Sequence, residues 1–139
     1  MKVKQLSVFL ENKAGTLADL SHMLADKNIN LRALCVADTQ DFGIVRMITA
    51  EPEQAALELR EAGYICTVTE VLAVALDDTA GGMNAILVAM ADANVSVEYA
   101  YASLSPKAGK AFLIVRVKDT DAAEAALTAA GFPGADELF

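Results

Sequence analysis

With 139 residues, 55% of them hydrophobic and 6% aromatic, the chain has room for one ordinary domain or two small ones, and its mean hydropathy of +0.37 is high for that size. A net charge of -8 and a pI near 4.5 repel phosphate backbones and anionic membrane surfaces, which argues against nucleic acid or a lipid headgroup as partner. No apolar run approaches the roughly 18 residues of a membrane span, and Met1-Lys2-Val3-Lys4-Gln5 enters an alternating strand rather than a signal-peptide core, so a cytoplasmic protein is expected.

In chain order, Leu6, Val8 and Leu10 alternate, Glu11-Asn12-Lys13-Ala14-Gly15 breaks the strand, and Leu17, Leu20 and Leu24 follow at helical spacing. Asn28-Ile29-Asn30 ends that helix. Leu31 to Ala37 reads as a strand, Asp38-Thr39-Gln40-Asp41 as a polar turn, and Phe42 to Thr49 as the second arm of a hairpin. Pro52 suits the first turn of a helix that runs through Ala55 to Ala62 and stops at Gly63, and Ile65 to Val68 supplies a last strand. The order is βαββαβ. Val71 to Leu76, Met83 to Ala93, Val95 to Ser103, Lys110 to Val117 and Ala122 to Ala130 repeat it, with a weak final strand in Phe132 to Phe139.

The two halves are copies of one unit. Val8 to Leu17 is answered 66 positions later by Val74 to Met83, and Leu20, Leu24, Asn28, Ile29 and Leu31 fall on Ile86, Met90, Asn94, Val95 and Val97. The match resumes at an offset of 70 for Ile44-Val45-Arg46 with Ile114-Val115-Arg116, and at 68 for Ala62-Gly63-Tyr64 with Ala130-Gly131-Phe132. A long period present twice argues for a duplicated domain, 1–70 and 71–139, rather than a solenoid. Each βαββαβ unit predicts an α+β, ferredoxin-like fold with an antiparallel sheet and both helices on one face. Phe42, Ile44, Phe112 and Ile114 then lie on the opposite face, which has no helix to cover it, so packing against another copy is expected.

The segments Phe9 to Leu17, Asn28 to Ala33, Asp38 to Arg46 and Glu61 to Tyr64 resemble an ACT domain, and residues 71 to 132 resemble a second. Nearly the whole chain is covered, and within the family it is similar to stand-alone tandem ACT proteins without a catalytic domain. The resemblance implies units paired side by side into a continuous eight-stranded sheet. It also implies a free amino acid bound near the turn before the first helix, at the seam between units. The partners it implies are that ligand, a second copy in a homodimer, and a target enzyme or regulator of amino-acid metabolism.

The residues of the turn suit such a ligand. Asn12, Lys13, Ala14, Gly15, Thr16 and Leu17 present backbone N–H groups at a helix N-terminus, where partial positive charge favours a carboxylate. Gly15 lets backbone approach a ligand, Asn12 can donate and accept, and Leu17 can border a side chain; the plainer use of Asn12 is to cap the helix. In the second turn Asp78, Gly81, Gly82 and Met83 occupy the corresponding positions, and Asp78 should repel a carboxylate, so a weaker, different or absent site is expected there. Ala14 and Ala80 stand where the family usually has proline, which leaves the unbound turn freer.

Other residues point to ordinary roles. His22 reads as a helix-surface residue, Arg46 and Arg116 as ion-pair partners, Tyr99 and Tyr101 as packing, and Cys35 and Cys66 as reduced thiols without metal-ligand spacing. No nucleophile with a base, metal set or cofactor loop is visible, so no enzyme, metal or cofactor is expected. Two function classes are left: an amino-acid-sensing regulatory module, and a ligand-free oligomerisation or protein-interaction scaffold.

Overall fold

The structure, a computed structural model, describes residues 1–38, 41–104 and 109–135. Its elements are β1 (Lys2–Glu11), α1 (Thr16–Asp26), β2 (Leu31–Asp38), β3 (Phe42–Thr49), α2 (Pro52–Glu61), β4 (Ile65–Asp77), α3 (Gly82–Asp92), β5 (Val97–Leu104), β6 (Lys110–Val117) and α4 (Thr120–Ala129). Thr39 and Gln40 of the expected polar turn, and the last residues of the expected final strand, lie outside the described residues. Two compact units form, one from Lys4–Thr69 and one from Met1–Val3 together with the chain from Glu70 on.

In the first unit the strand order is β2-β3-β1-β4. β1 and β2 both pair antiparallel with β3, and the register places Leu6 and Leu34 beside Met47, and Val8 and Val36 beside Val45. Paired residues share a face, so Leu6, Val8, Val45 and Met47 line one side of the sheet. Leu20 and Leu24, one helical turn apart on α1, and Ala55, Ala56 and Leu59 on α2 close over them to make the core. Pro52 starts α2 where its missing N–H costs nothing.

The second unit repeats this with Leu72, Val74, Leu113, Val115 and Val117 against Ile86, Met90, Ala123 and Leu127. β4 and β5 pair antiparallel with β6 in the order β4-β6-β5. Asp119 caps α4 through its carboxylate, which accepts from the Ala122 N–H at 3.0 Å. The repeat is kept in the backbone as well: Asn28 and Asn94, which follow α1 and α3, both adopt left-handed conformations with φ of 54° and 57°.

Eight strands are expected and six form among the described residues. One is lost because Ile65–Val68 and Val71–Leu76 have no turn residue between them, so they run together as the 13-residue β4. Of the other, the described residues show a single bridge, Val74 with Gly134. Pro133 accepts from the Ala75 N–H at 3.1 Å, and the Ala135 N–H donates to Ala73 at 3.0 Å. The Ala73 N–H turns instead to the carbonyl of Met1, at 2.8 Å, so residues 1–3 and 133–135 together occupy the edge where a full strand was expected.

The uncovered sheet face also needs correction. Phe112 and Ile114 are 1% and 0% exposed within the single chain, so their face does not wait for another copy. In the first unit Phe42 remains 56% and Phe9 41% exposed. Ile86→Ala, which empties a fully buried position, should cost about 2–5 kcal/mol in chemical denaturation, whereas Val88→Ala on the exposed side of the same helix should cost under about 0.5 kcal/mol. Equal costs at the two positions would contradict this account of the core.

Candidate functional site

The turns that open α1 and α3 share one backbone path. The Asn12 N–H donates to Asp41 at 3.2 Å and the Asp78 N–H to Gly109 at 3.0 Å, which ties each turn to the neighbouring hairpin. Lys13 then donates to the Glu11 carbonyl at 2.9 Å and Thr79 to that of Asp77 at 2.8 Å. Gly15 and Gly81 follow as the helix N-caps, both left-handed with φ of 92° and 91°, a conformation that a β-carbon penalises. Neither helix start is capped by a side chain, so Asn12 does not serve as the cap. Asp19 and Ala85 close the first helical hydrogen bonds onto Gly15 and Gly81, and the N–H groups just before them have no helical acceptor.

What the turns enclose differs. The concavity of the first unit measures about 270 Å³ and is lined by Phe9, Glu11, Thr16, Asp19 and Tyr64 among others. That of the second measures about 890 Å³, with Ala75, Gly82, Ala85, Lys110, Phe132 and Pro133 in its wall. Small-molecule sites occupy roughly 300–1,000 Å³, so the second cavity falls inside the range and the first just below it.

The expected site residues divide accordingly. Gly81 and Gly82 line the larger cavity, while Asp78 and Met83 lie outside its lining. Thr16 lines the smaller one, whereas Asn12, Lys13, Ala14, Gly15 and Leu17 do not. Leu17 and Met83, one at the same place in each helix, stay 44% and 51% exposed. Ala75, Ala85, Lys110 and the Gly131–Gly134 segment were missed by reading the turn alone. The repeat carried a signal for part of them: Phe132 answers Tyr64, and Ala85 answers Asp19.

The charges around each turn are partly neutralised. Lys13 pairs with Glu11, which raises the lysine pKa, and Lys110 pairs with Asp77, the repeat counterpart of Glu11. Burial, and then the negative charge of Asp19, push the Tyr64 phenol above its ordinary range, so it is a neutral hydrogen-bonding group at physiological pH. Elsewhere, Arg116 reaches Glu98 at 3.3 Å and the Glu70 carbonyl at 3.0 Å, and His22 meets Asp26 at 3.4 Å on the exposed side of α1. Cys66 is buried and Cys35 half-buried, both as free thiols. Among the described residues no group of three or more His, Cys, Asp or Glu side chains could hold a metal ion, and no helix is long and apolar enough to cross a membrane.

A family model described as an ACT domain pair matches residues 1–130, and the chain belongs to that family. ACT domain pairs are regulatory rather than catalytic domains. A crystallised protein from Bacteroides thetaiotaomicron is 32% identical, with 99% of this chain and 96% of that one aligned at a TM-score of 0.89. The ligand-free regulatory subunit of aspartate kinase from Thermus thermophilus aligns over 92% of both chains at 16% identity and a TM-score of 0.66. The corresponding subunit from Thermus flavus aligns over 94% of this chain and 95% of its own at 16% identity and a TM-score of 0.62. At that identity the two subunits share the fold alone. No curated protein matches.

The two turns give a stability test. Gly15→Ala meets nothing within 4 Å, so it should cost only the left-handed strain, about 1–2 kcal/mol. Gly82→Ala would put its Cβ 2.6 Å from the Asp77 carbonyl oxygen and should cost more than Gly15→Ala in the same denaturation assay. The reverse order would contradict the geometry of the second turn.

Proposed function

We propose that the chain is an amino-acid-binding regulatory protein, which takes a free amino acid beside a helix-opening turn and thereby changes its association with a second copy or with a target enzyme. The observation that carries this reading is a cavity of small-molecule size directly under such a turn, in a chain belonging to a regulatory domain family. The start of the helix carries the partial positive charge of the helix dipole, the polarity that a carboxylate needs. The paired Asp77 and Lys110 on the cavity wall offer both signs of charge to a zwitterion. Effector binding alters association when the ligand prefers one assembly state, and apolar side chains left exposed on β2, Leu34 and Val36 at 48% each, give a second copy a surface to cover. The two free thiols suit a reducing compartment such as the cytoplasm.

The reading is tested by a thermal-shift series against each common amino acid at millimolar concentration. A ligand that binds only the folded state, present at 100 times its dissociation constant, should stabilise the protein by about 2.7 kcal/mol and raise its melting temperature. A flat response to every amino acid would reject the sensor and leave the ligand-free scaffold.

A further inference from the structure

The duplication supplies an internal control for what makes a cavity. The same turn, with the same left-handed glycine and the same tie to the neighbouring hairpin, encloses about 270 Å³ in one unit and about 890 Å³ in the other. Two exchanges sit in the cavity walls at matching positions of the first helical turn: Thr16 corresponds to Gly82, and Asp19 to Ala85. The Thr16 hydroxyl folds back onto the carbonyls of Glu11 at 2.8 Å and Lys13 at 3.0 Å, so its side chain occupies the wall. Gly82 has no side chain there, and could not carry one without meeting the Asp77 carbonyl at 2.6 Å. Asp19 adds a carboxylate to the start of α1, close enough to Tyr64 to raise its pKa, whereas the first turn of α3 holds no acid.

From these differences we propose that the working amino-acid site is the cavity of the second unit, that Gly82 and Ala85 are its specificity-determining positions, and that its ligand is an α-amino acid with an apolar side chain. The inference rests on the amino-acid reading above and reverses the sequence expectation that the second turn is the weaker one. The ligand carboxylate meets the acid-free start of α3, and the side chain lies against Ala75, Leu76, Ala85 and Phe132. In the first unit an incoming carboxylate faces Asp19, which repels it, in a concavity already narrowed by Thr16.

Calorimetric titration of the full chain with each common amino acid, for wild type, Ala85→Asp, Ala85→Leu and Asp19→Ala, tests the assignment. Ala85 is exposed in the first turn of α3, where an acid suits the helix dipole and leucine is a good helix former, so both variants should melt as wild type does without ligand. The expected result is that an apolar amino acid binds wild type, that each Ala85 variant weakens it at least about tenfold, and that Asp19→Ala does not weaken it. Unchanged affinity in both Ala85 variants, or loss of binding in Asp19→Ala, would overturn the site. Binding confined to acidic or basic amino acids would overturn the ligand class. Failure of every amino acid to bind wild type is a different result, which rejects the amino-acid reading itself.

Discussion

The candidate sites depend on one backbone constraint, the left-handed residue that ends each turn before the first helix of a unit. With φ near 90° at Gly15 and Gly81, the chain reverses tightly enough that the carbonyls of Glu11 and Asp77 close onto the N–H groups two residues later, and a helix begins without a side-chain cap. A β-carbon at either glycine would meet no neighbour but would strain this left-handed path. The consequence is a helix start that no side-chain carboxylate caps. Lining residues from β4, β6 and the segment after α4 are held beside this helix start by strand pairing, Asp77 opposite Lys110 and the Ala75 N–H on Pro133.

Within that shared frame, the walls of the two concavities differ by small exchanges. Threonine and aspartate in the wall of the first concavity, about 270 Å³, stand where glycine and alanine stand in the wall of the second, about 890 Å³. The turn of the second unit is also tighter around Asp77, where a Cβ on Gly82 has no room, whereas the matching residue of the first unit, Thr16, carries one. A duplicated domain can thus keep its fold in both copies and differ in the residues around its helix-opening turn. The family membership fixes the class of protein; the exchanged residues are what distinguish one copy from the other.

Much of the fold was legible in the sequence because its signals are local and appear twice. The alternation of Leu6, Val8 and Leu10, the spacing of Leu20 and Leu24, and Pro52 at a helix start each dictate an element by themselves, and the second copy confirms the period. The continuity of β4 follows from the absence of any linker between the two strand-forming runs, since the first ends near Thr69 and nothing before Val71 breaks extended backbone. The edge formed by residues 1–3 and 133–135 was not readable, since the Ala73 to Met1 hydrogen bond joins residues 72 positions apart in sequence. The site was half legible: glycine and the turn stood out as motifs, whereas Ala75, Ala85 and Pro133 contribute by being small or by position. Asp78, expected to repel a carboxylate, stands just outside the cavity lining, between Asp77 and Thr79, which belong to it.

The central claim is that an amino acid occupies the cavity beneath the α3 turn. Amide chemical shifts followed by two-dimensional NMR during titration with the best-binding amino acid test it most directly, residue by residue. The account predicts shifts concentrated in Asp77 to Ala85, Lys110 and Gly131 to Gly134, with the Asn12 to Asp19 turn unmoved. Shifts confined to Asn12 to Asp19, with the second turn silent, would contradict it.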